Sequence, residues 1–390
     1  MEPEISAVIP TYNCRKYVKF AIDSAFAQKD TDIEIIVIDD GSTDDTGDLL
    51  QDCYGDRIRY IWQENSGESS ARNRGVEAAQ GEFVAFLDAD DMWLPQKSRV
   101  QLDTFRLHPE HCLVVCQAHV IGKDNELLRE AMIEQTSAES SIRLPGLLQK
   151  NVIAPSCTLM RRDILQRIGG FDPAIKFGED WDLWLRLGQQ GDFAFIAEPL
   201  ALYRQHSASQ SRIPPEGMVG RFLQDRVYLL ERAFAAYSES IGDLQPIRKK
   251  TLAFQYAQAA AASYAWGEWP SGQAYLAQAI NLDPASWQDG EQLKPMIIAY
   301  FIAAAERKGS EFSLQHLQDF EIHLQHSLPA QLMLSRHWKA HLLSRLYAEG
   351  AYQASLAGDT TDVWQYSWQA FQKNPGLLFN IGMLRRLLRV

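Results

Sequence analysis

Phe83-Val84-Ala85-Phe86-Leu87 runs directly into Asp88-Ala89-Asp90-Asp91, five apolar residues followed by three carboxylates in four positions. An apolar run without polar alternation reads as a strand buried on both faces. Its acidic end marks where that strand leaves the core. Two earlier runs have the same form. Ser6-Ala7-Val8-Ile9 is closed by Pro10-Thr11-Tyr12-Asn13, and residues 33–38 are closed by Asp39-Asp40-Gly41-Ser42. Residues 57–61 read as a further strand. Helical patterns separate these runs: about 15–28, a stretch capped by Thr43-Asp44 that carries Leu49 and Leu50, and one capped by Ser69 or Ser70 that runs to about 79. Buried strands alternating with helices predict an α/β unit, a mostly parallel sheet covered on both faces. Ligands of such sheets bind beyond the carboxyl ends of the strands.

The chain has 390 residues, 46% of them hydrophobic and 11% aromatic, so two buried cores are expected. Its formal net charge is -12. Residues 1–215 carry 22 Lys+Arg against 34 Asp+Glu, and residues 216–390 carry 16 against 16. All the excess acid lies in the first part, which argues against a nucleic-acid partner. The five cysteines are odd in number and scattered, with no C-x-x-C pair, so neither a disulfide framework nor a zinc site is indicated. Met-Glu-Pro-Glu-Ile-Ser lacks the pattern of a signal peptide, and no apolar run reaches the ~18 residues of a membrane span. A cytoplasmic protein is expected, with peripheral contact at the inner face of the membrane left open.

Beyond about residue 217 the strand signals fade, and Ala, Leu, Gln and aromatic residues recur at helical spacing. Two segments, 264–284 and 354–375, share a Gly turn, a helix with a small residue facing back and a closing x-Pro. They resemble the second half of a tetratricopeptide-type helical hairpin. The expected organisation is therefore an α/β domain over 1–215, a linker helix over 216–250 and a helical repeat-like domain over 251–390. The helical domain would serve as acceptor platform, protein-partner dock or self-association surface. The basic amphipathic tail 377–389 is read as a closing helix in preference to a bilayer contact.

Carboxylates at a strand end can hold a divalent cation, and that cation a diphosphate; a further carboxylate can take a proton from a hydroxyl. Three acidic clusters, Asp39-Asp40, Asp88-Ala89-Asp90-Asp91 and Gly178-Glu179-Asp180-Trp181-Asp182, thus point to group transfer from a nucleotide-linked donor. Asp88 and Asp90, two apart at an extended strand end, would point the same way and share one cation. Mg²⁺ or Mn²⁺ suits such hard oxygen donors. Asp91 is expected to cap the turn before Leu94-Pro95. Trp181 and Trp184, at i and i+3, read as core more readily than as a sugar-stacking surface. His108, His111, His326 and the pair His337 and His341 read as surface residues.

Val8-Ile9-Pro10-Thr11-Tyr12-Asn13 and Ile38-Asp39-Asp40-Gly41-Ser42-Thr43-Asp44 open a longer series. Asn65-x-Gly67, Ala71-Arg72-Asn73-x-Gly75, Leu87-Asp88-Ala89-Asp90-Asp91 and Gly178-Glu179-Asp180-Trp181-Asp182-Leu183 complete it. In this order and spacing, over residues 4–210, they resemble the family 2 nucleotide-sugar glycosyltransferases, which have the GT-A fold. The resemblance implies inverting transfer from a nucleoside-diphosphate sugar, a UDP-sugar favoured, to a hydroxyl of a glycan or lipid-linked acceptor. It implies that Pro10, Tyr12, Asp40, Arg72, Asn73, Asp88, Ala89 and Arg204 contact the donor. Asp90, with Asp88 and His206, would hold Mg²⁺ or Mn²⁺. Asp180 would be the general base, with Glu179 binding acceptor or orienting it. A nucleotide-sugar pyrophosphorylase would want a Gly- and basic-rich loop where this chain has Pro10-Thr11-Tyr12-Asn13-Cys14-Arg15. The non-enzymatic alternative is a catalytically idle scaffold whose helical domain binds a protein partner, and the three intact acid clusters argue against it.

Overall fold

The computed structural model describes residues 2–133, 146–206, 213–239, 242–287, 289–308, 313–326, 332, 334–356 and 360–374. The expected tail helix at 377–389, and Gly358 and Pro375 of the second hairpin-like segment, lie outside the described residues. The chain divides into two compact units, Met1–His206 with Tyr228–Gly242, and Ser207–Val227 with Asp243–Val390.

In the first unit, β1 (Ile5–Thr11), β2 (Ile33–Asp39), β3 (Arg59–Trp62) and β4 (Phe83–Phe86) form a parallel sheet in the order β3-β2-β1-β4. The sheet continues beyond β4 through β8 (Thr158–Arg161), β6 (His111–Ile121), β9 (Asp192–Arg204) and the short β5 (Met92–Trp93), with β7 (Leu127–Arg129) paired to β6. There the pairing is mixed: β6 and β9 run parallel, and the other contacts are antiparallel. Every residue of β1 is buried. Pro10 fits inside this central strand because β4 accompanies β1 only as far as Val8↔Phe86. Val8 O accepts the Leu87 N–H, so Pro10, two residues on, turns its missing N–H toward the side where β4 has already ended.

Helix α1 (Val18–Phe26) buries Val18, Ala21, Ile22 and Ala25. Helix α2 (Thr46–Tyr54) follows Asp45, while the Asp44 carboxylate accepts from Thr46 N and Oγ1. Helix α3 (Glu68–Ala78) starts behind Gly67 (φ +88), so Ser69 and Ser70 lie inside it and neither caps it. It packs tightly on the sheet: a Cβ on Gly75 would sit 2.2 Å from Val8 Cγ1. Only glycine lets α3 approach β1 this closely, which accounts for the glycine in Ala71-Arg72-Asn73-x-Gly75.

The second unit is helical. Helices Gln245–Trp266 and Trp269–Leu282 form a hairpin turned at Gly267 (φ +82), and helices Arg336–Leu356 and Thr360–Lys373 pair likewise. Both hairpins close through a glycine against a ring. A Cβ on Gly272 would be 2.4 Å from Tyr264 Cε1, and one on Gly350 would be 2.6 Å from Tyr366 Cδ1. Ala257, Ala259, Ala260, Ala261, Ala262 and Ala265 are fully buried, giving neighbouring helices the same close approach. No described helix is long and apolar enough to cross a membrane.

His316 and His323 pack against Trp269 in this core, with ring centroids 5.3 and 5.7 Å away. Burial pushes both imidazoles below their ordinary value of 6.5, with a smaller opposing effect at His316 from its Nε2–H bond to Ala265 O. Their neutral forms stabilise the fold above that value, and this contribution is lost as pH falls, because the unfolded chain takes up protons first. The melting midpoint of the helical unit, followed within the full chain, should therefore fall between pH 7.5 and pH 5.5. His323→Phe, which keeps the ring packing, should reduce that difference; an unchanged pH dependence would refute the assignment.

Candidate active site

β4 ends at Phe86, and residues 88–91 form a turn closed by the Asp91 N–H on Asp88 O (3.0 Å). The backbone here is not extended, so Asp88 and Asp90 do not face one partner as their spacing suggested. Asp88 Oδ1 accepts from Arg72 Nη2 at 2.9 Å, whereas Asp90 Oδ2 lies 2.9 Å from His206 Nε2. Asp91 does not cap the Leu94-Pro95 turn. It is buried, accepting from Arg204 N (2.8 Å) and Ser156 Oγ (2.6 Å), and the same hydroxyl accepts the Asp88 N–H at 3.1 Å. Ala89 is buried between them. Burial, with Glu68 and Asp90 adding and Arg72 opposing, pushes the Asp88 carboxyl up to about 6. Burial, reinforced by Asp90 and Asp88, holds Asp91 well above the carboxylate range.

Such crowding favours a cation. Asp90 and His206 offer one oxygen and one nitrogen at cis-ligand separation. Mg²⁺ and Mn²⁺ take few protein ligands where phosphate oxygens and water complete the shell, so these residues fit such an ion. Asp88 has one oxygen committed to Arg72. Among the described residues, three potential ligands with atoms within 4.8 Å of one another occur only at His108, Glu110 and His111. That partly exposed trio sits at the end of β6 remote from the Ile121↔Arg204 pairing.

Helix Glu179–Leu187 begins after Gly178 (φ +95), so Asp180 lies in its first turn and is not its cap. Asp180 Oδ1 accepts from Trp181 N (2.7 Å) and Oδ2 from Asn151 Nδ2 (2.8 Å). Glu179 Oε1 accepts from Arg72 Nη1 at 2.9 Å. Burial, reinforced by Asp180 and Glu68 and opposed by Arg72, pushes Glu179 up to about 8. The Arg72 side chain, 3% exposed, therefore carries the acidic turn on one nitrogen and the helix Glu179–Leu187 on the other, with Glu68 at 3.3 Å. Its guanidinium engages carboxylates where a donor contact had been expected.

Two other expected donor contacts have structural uses. Asn73 donates to Phe171 O and accepts from Phe171 N, both at 2.8 Å, so its amide pins that segment. Arg204 braces the acidic turn through Asp90 O (2.7 Å) and Gly122 O (3.0 Å); its Nη2 has no partner among the described residues. Tyr17 lies under the Arg204 guanidinium at 4.7 Å and stacks on His206 at 5.3 Å.

Asp40, 4% exposed, accepts from Gln63 Nε2, Ser66 N and Gly67 N at 2.7–2.9 Å and so fixes the loop leading into α3. Asp39 similarly holds Ser42 N and Tyr60 OH, both at 2.8 Å. Gly41 (φ +82) leaves room for Asn65 N, which a Cβ would meet at 2.9 Å. Pro10 is buried at the end of β1, and Tyr12 beyond it is 52% exposed. An open cavity of about 630 Å³ lies beside this edge, lined by Asn13, Arg15, Lys16, Lys19, Phe20, Asp44 and Leu49, and none of the expected site residues lines it. Trp181 and Trp184 are core residues, 1% and 0% exposed. Asn151, Ser156, Tyr17 and Gln63 carry no sequence signal for the contacts they make here.

Residues 6–169 match the model of the glycosyl transferase family 2 domain. TuaG of Bacillus subtilis, whose name refers to teichuronic acid biosynthesis, is 32% identical over 207 residues, covering 52% of this chain and 79% of TuaG. The chain belongs to glycosyl transferase family 2. An uncharacterized glycosyltransferase of Rickettsia prowazekii, RP339, is 34% identical over 208 residues, 53% of this chain and 65% of that protein. The chain thus spans less than two thirds of that relative's length. Chondroitin synthase of Escherichia coli is 32% identical over 196 residues, 50% of this chain and 28% of the synthase. The crystal structure of S. aureus TarS 1-349 in complex with UDP superposes with a TM-score of 0.53 at 16% identity, covering 83% of this chain and 92% of that one. The shared fold is the GT-A fold expected for family 2.

With Arg72 neutralising both acid clusters, Arg72→Ala leaves two part-buried carboxylates without their cation and should cost about 3 kcal/mol. Arg72→Lys keeps the charge but not the two-pronged geometry, and should fall between. Calorimetric melting of the three proteins checks this order. An Arg72→Ala midpoint within a degree of the parent would contradict the bridging role.

Proposed function

We propose that this family 2 member transfers a sugar, with inversion, from a nucleoside-diphosphate sugar to an acceptor hydroxyl. The observation that carries this reading is the Arg72 bridge, which sets Asp88 of the acidic turn and Glu179 of the base helix on one guanidinium. Donor-side and acceptor-side acids therefore flank one reaction space. In the proposed step, the acceptor oxygen attacks the anomeric carbon and loses its proton to Asp180. The bond from that carbon to the diphosphate oxygen breaks, and its electron pair leaves with the nucleotide. A single displacement inverts the centre and needs no enzyme nucleophile.

Asp90 and His206 are the residues that would hold Mg²⁺ or Mn²⁺, which when bound stabilises charge on the departing diphosphate. Arg204 and Ser156 keep the turn that presents Asp90. Pro10, Tyr12 and Asp40 flank the nucleotide position at adjacent strand ends, Asp40 acting by fixing the 63–67 loop. The UDP complex of TarS supports a UDP-sugar as the first donor to test. TuaG and chondroitin synthase support a growing polysaccharide as acceptor. Action at the cytoplasmic face, on a glycan or lipid-linked acceptor, fits a cytosolic donor.

Release of UDP from UDP-glucose and UDP-N-acetylglucosamine, with Mn²⁺ and either water or a uronic-acid oligosaccharide as acceptor, tests this. Asp180→Asn should lower turnover at least 10²-fold, while the melting shift produced by donor and Mn²⁺ stays near the parent value. Asp90→Ala should abolish the Mn²⁺-dependent part of that shift. Parent-rate turnover in Asp180→Asn would remove Asp180 as the base.

A further inference from the structure

We infer that Asn151 is a positioning residue for Asp180, held in place by the indole N–H groups of Trp181 and Trp184; this rests on the reading of Asp180 as general base. Asn151 Nδ2 donates to Asp180 Oδ2 at 2.8 Å, while Asn151 Oδ1 accepts the Ile153 N–H at 3.2 Å. With a carboxylate on one side and an N–H donor on the other, only one amide orientation satisfies both. The NH₂ must face Asp180. Its second oxygen is held by Trp181 N at 2.7 Å, so both carboxylate oxygens are tethered and the plane of the group is set.

The segment presenting Asn151 is itself clamped from the helix that carries the base. Trp181 Nε1 donates to Leu147 O at 2.7 Å, and Trp184 Nε1 to Ile153 O at 3.2 Å. Both rings are fully buried, as are Leu147, Leu148 and Ile153, so these bonds are shielded from water. The two tryptophans thus bracket residues 147–153, with Asn151 between their anchor points. The far side of the helix is fixed independently. Asp182 is bonded to Arg186 and Arg232, and Arg186 reaches Ile168 O (3.0 Å) and Gly170 O (2.6 Å). A base held this rigidly keeps its remaining lone pairs aimed at one acceptor position. Misplacing a reacting group by about 1 Å can cost ~10²-fold in rate.

The test is steady-state UDP release from the donor used above, with melting temperatures, for Asn151→Ala, Asn151→Asp, Trp184→Phe and Asp180→Asn. Asn151→Ala should lower kcat about 10–100-fold with donor KM within about twofold and melting little changed. Asn151→Asp, which sets a carboxylate against Asp180, should lose at least as much. Trp184→Phe keeps the ring and drops only the bond to Ile153 O, so its loss should be smaller but again confined to kcat. Parent-like kcat in Asn151→Ala beside an inactive Asp180→Asn overturns the positioning role and leaves the base reading standing. An active Asp180→Asn overturns the base reading, and the positioning role with it. Parallel changes of kcat, KM and melting in Asn151→Ala would make Asn151 a folding residue and also overturn the proposal.

Discussion

A guanidinium buried among carboxylates organises the first unit. Arg72 cannot shed its charge, and its enclosure is tolerable only because Asp88, Glu179 and Glu68 surround it. The dependence is mutual. Asp88 and Glu179 are both driven toward protonation by burial and neighbouring acids, and Arg72 is the opposing charge at each. A lysine, with a point charge, would not serve two carboxylates on separate nitrogens at 2.9 Å. The rest of the unit delivers this one side chain. Gly75 lets α3 lie on β1, and Asp40 fixes the loop from which α3 starts.

Many acids of the three clusters build the site without occupying it. Asp39 and Asp40 hold loops, Asp91 holds the underside of the acidic turn and Asp182 anchors the helix Glu179–Leu187. Each is buried with its oxygens hydrogen-bonded, as a buried carboxylate requires. That division leaves Asp90, beside His206, and Asp180, beside Asn151, as the acids to which the proposal gives metal and proton-transfer roles.

The helical unit follows a different rule. Its close approaches are made by glycine and alanine against aromatic rings, Gly272 on Tyr264 and Gly350 on Tyr366. Dispersion and apolar burial hold it, and the neutral histidines of its core behave as aromatic filler above about pH 6.5.

Apolar runs closed by a turn or an acidic segment identified β1, β2 and β4 as buried parallel strands, because burial on both faces leaves little room for alternation. The order of the motifs, from Pro10 through Asp180, identified the family and fold, and the Gly267 turn with its backing small residues identified a helical hairpin. Side-chain partnership was decided only in three dimensions. Asp88 and Asp90 share a motif but sit in a turn, not a strand, so their carboxylates meet Arg72 and His206. Asn73 turned out to pin Phe171, 98 residues away in sequence, and Asn151 reaches an acid 29 residues away. Strand periodicity and glycine placement are local properties that a chain writes into its own order. Which donor meets which acceptor depends on how distant segments pack, and no spacing along the chain records that.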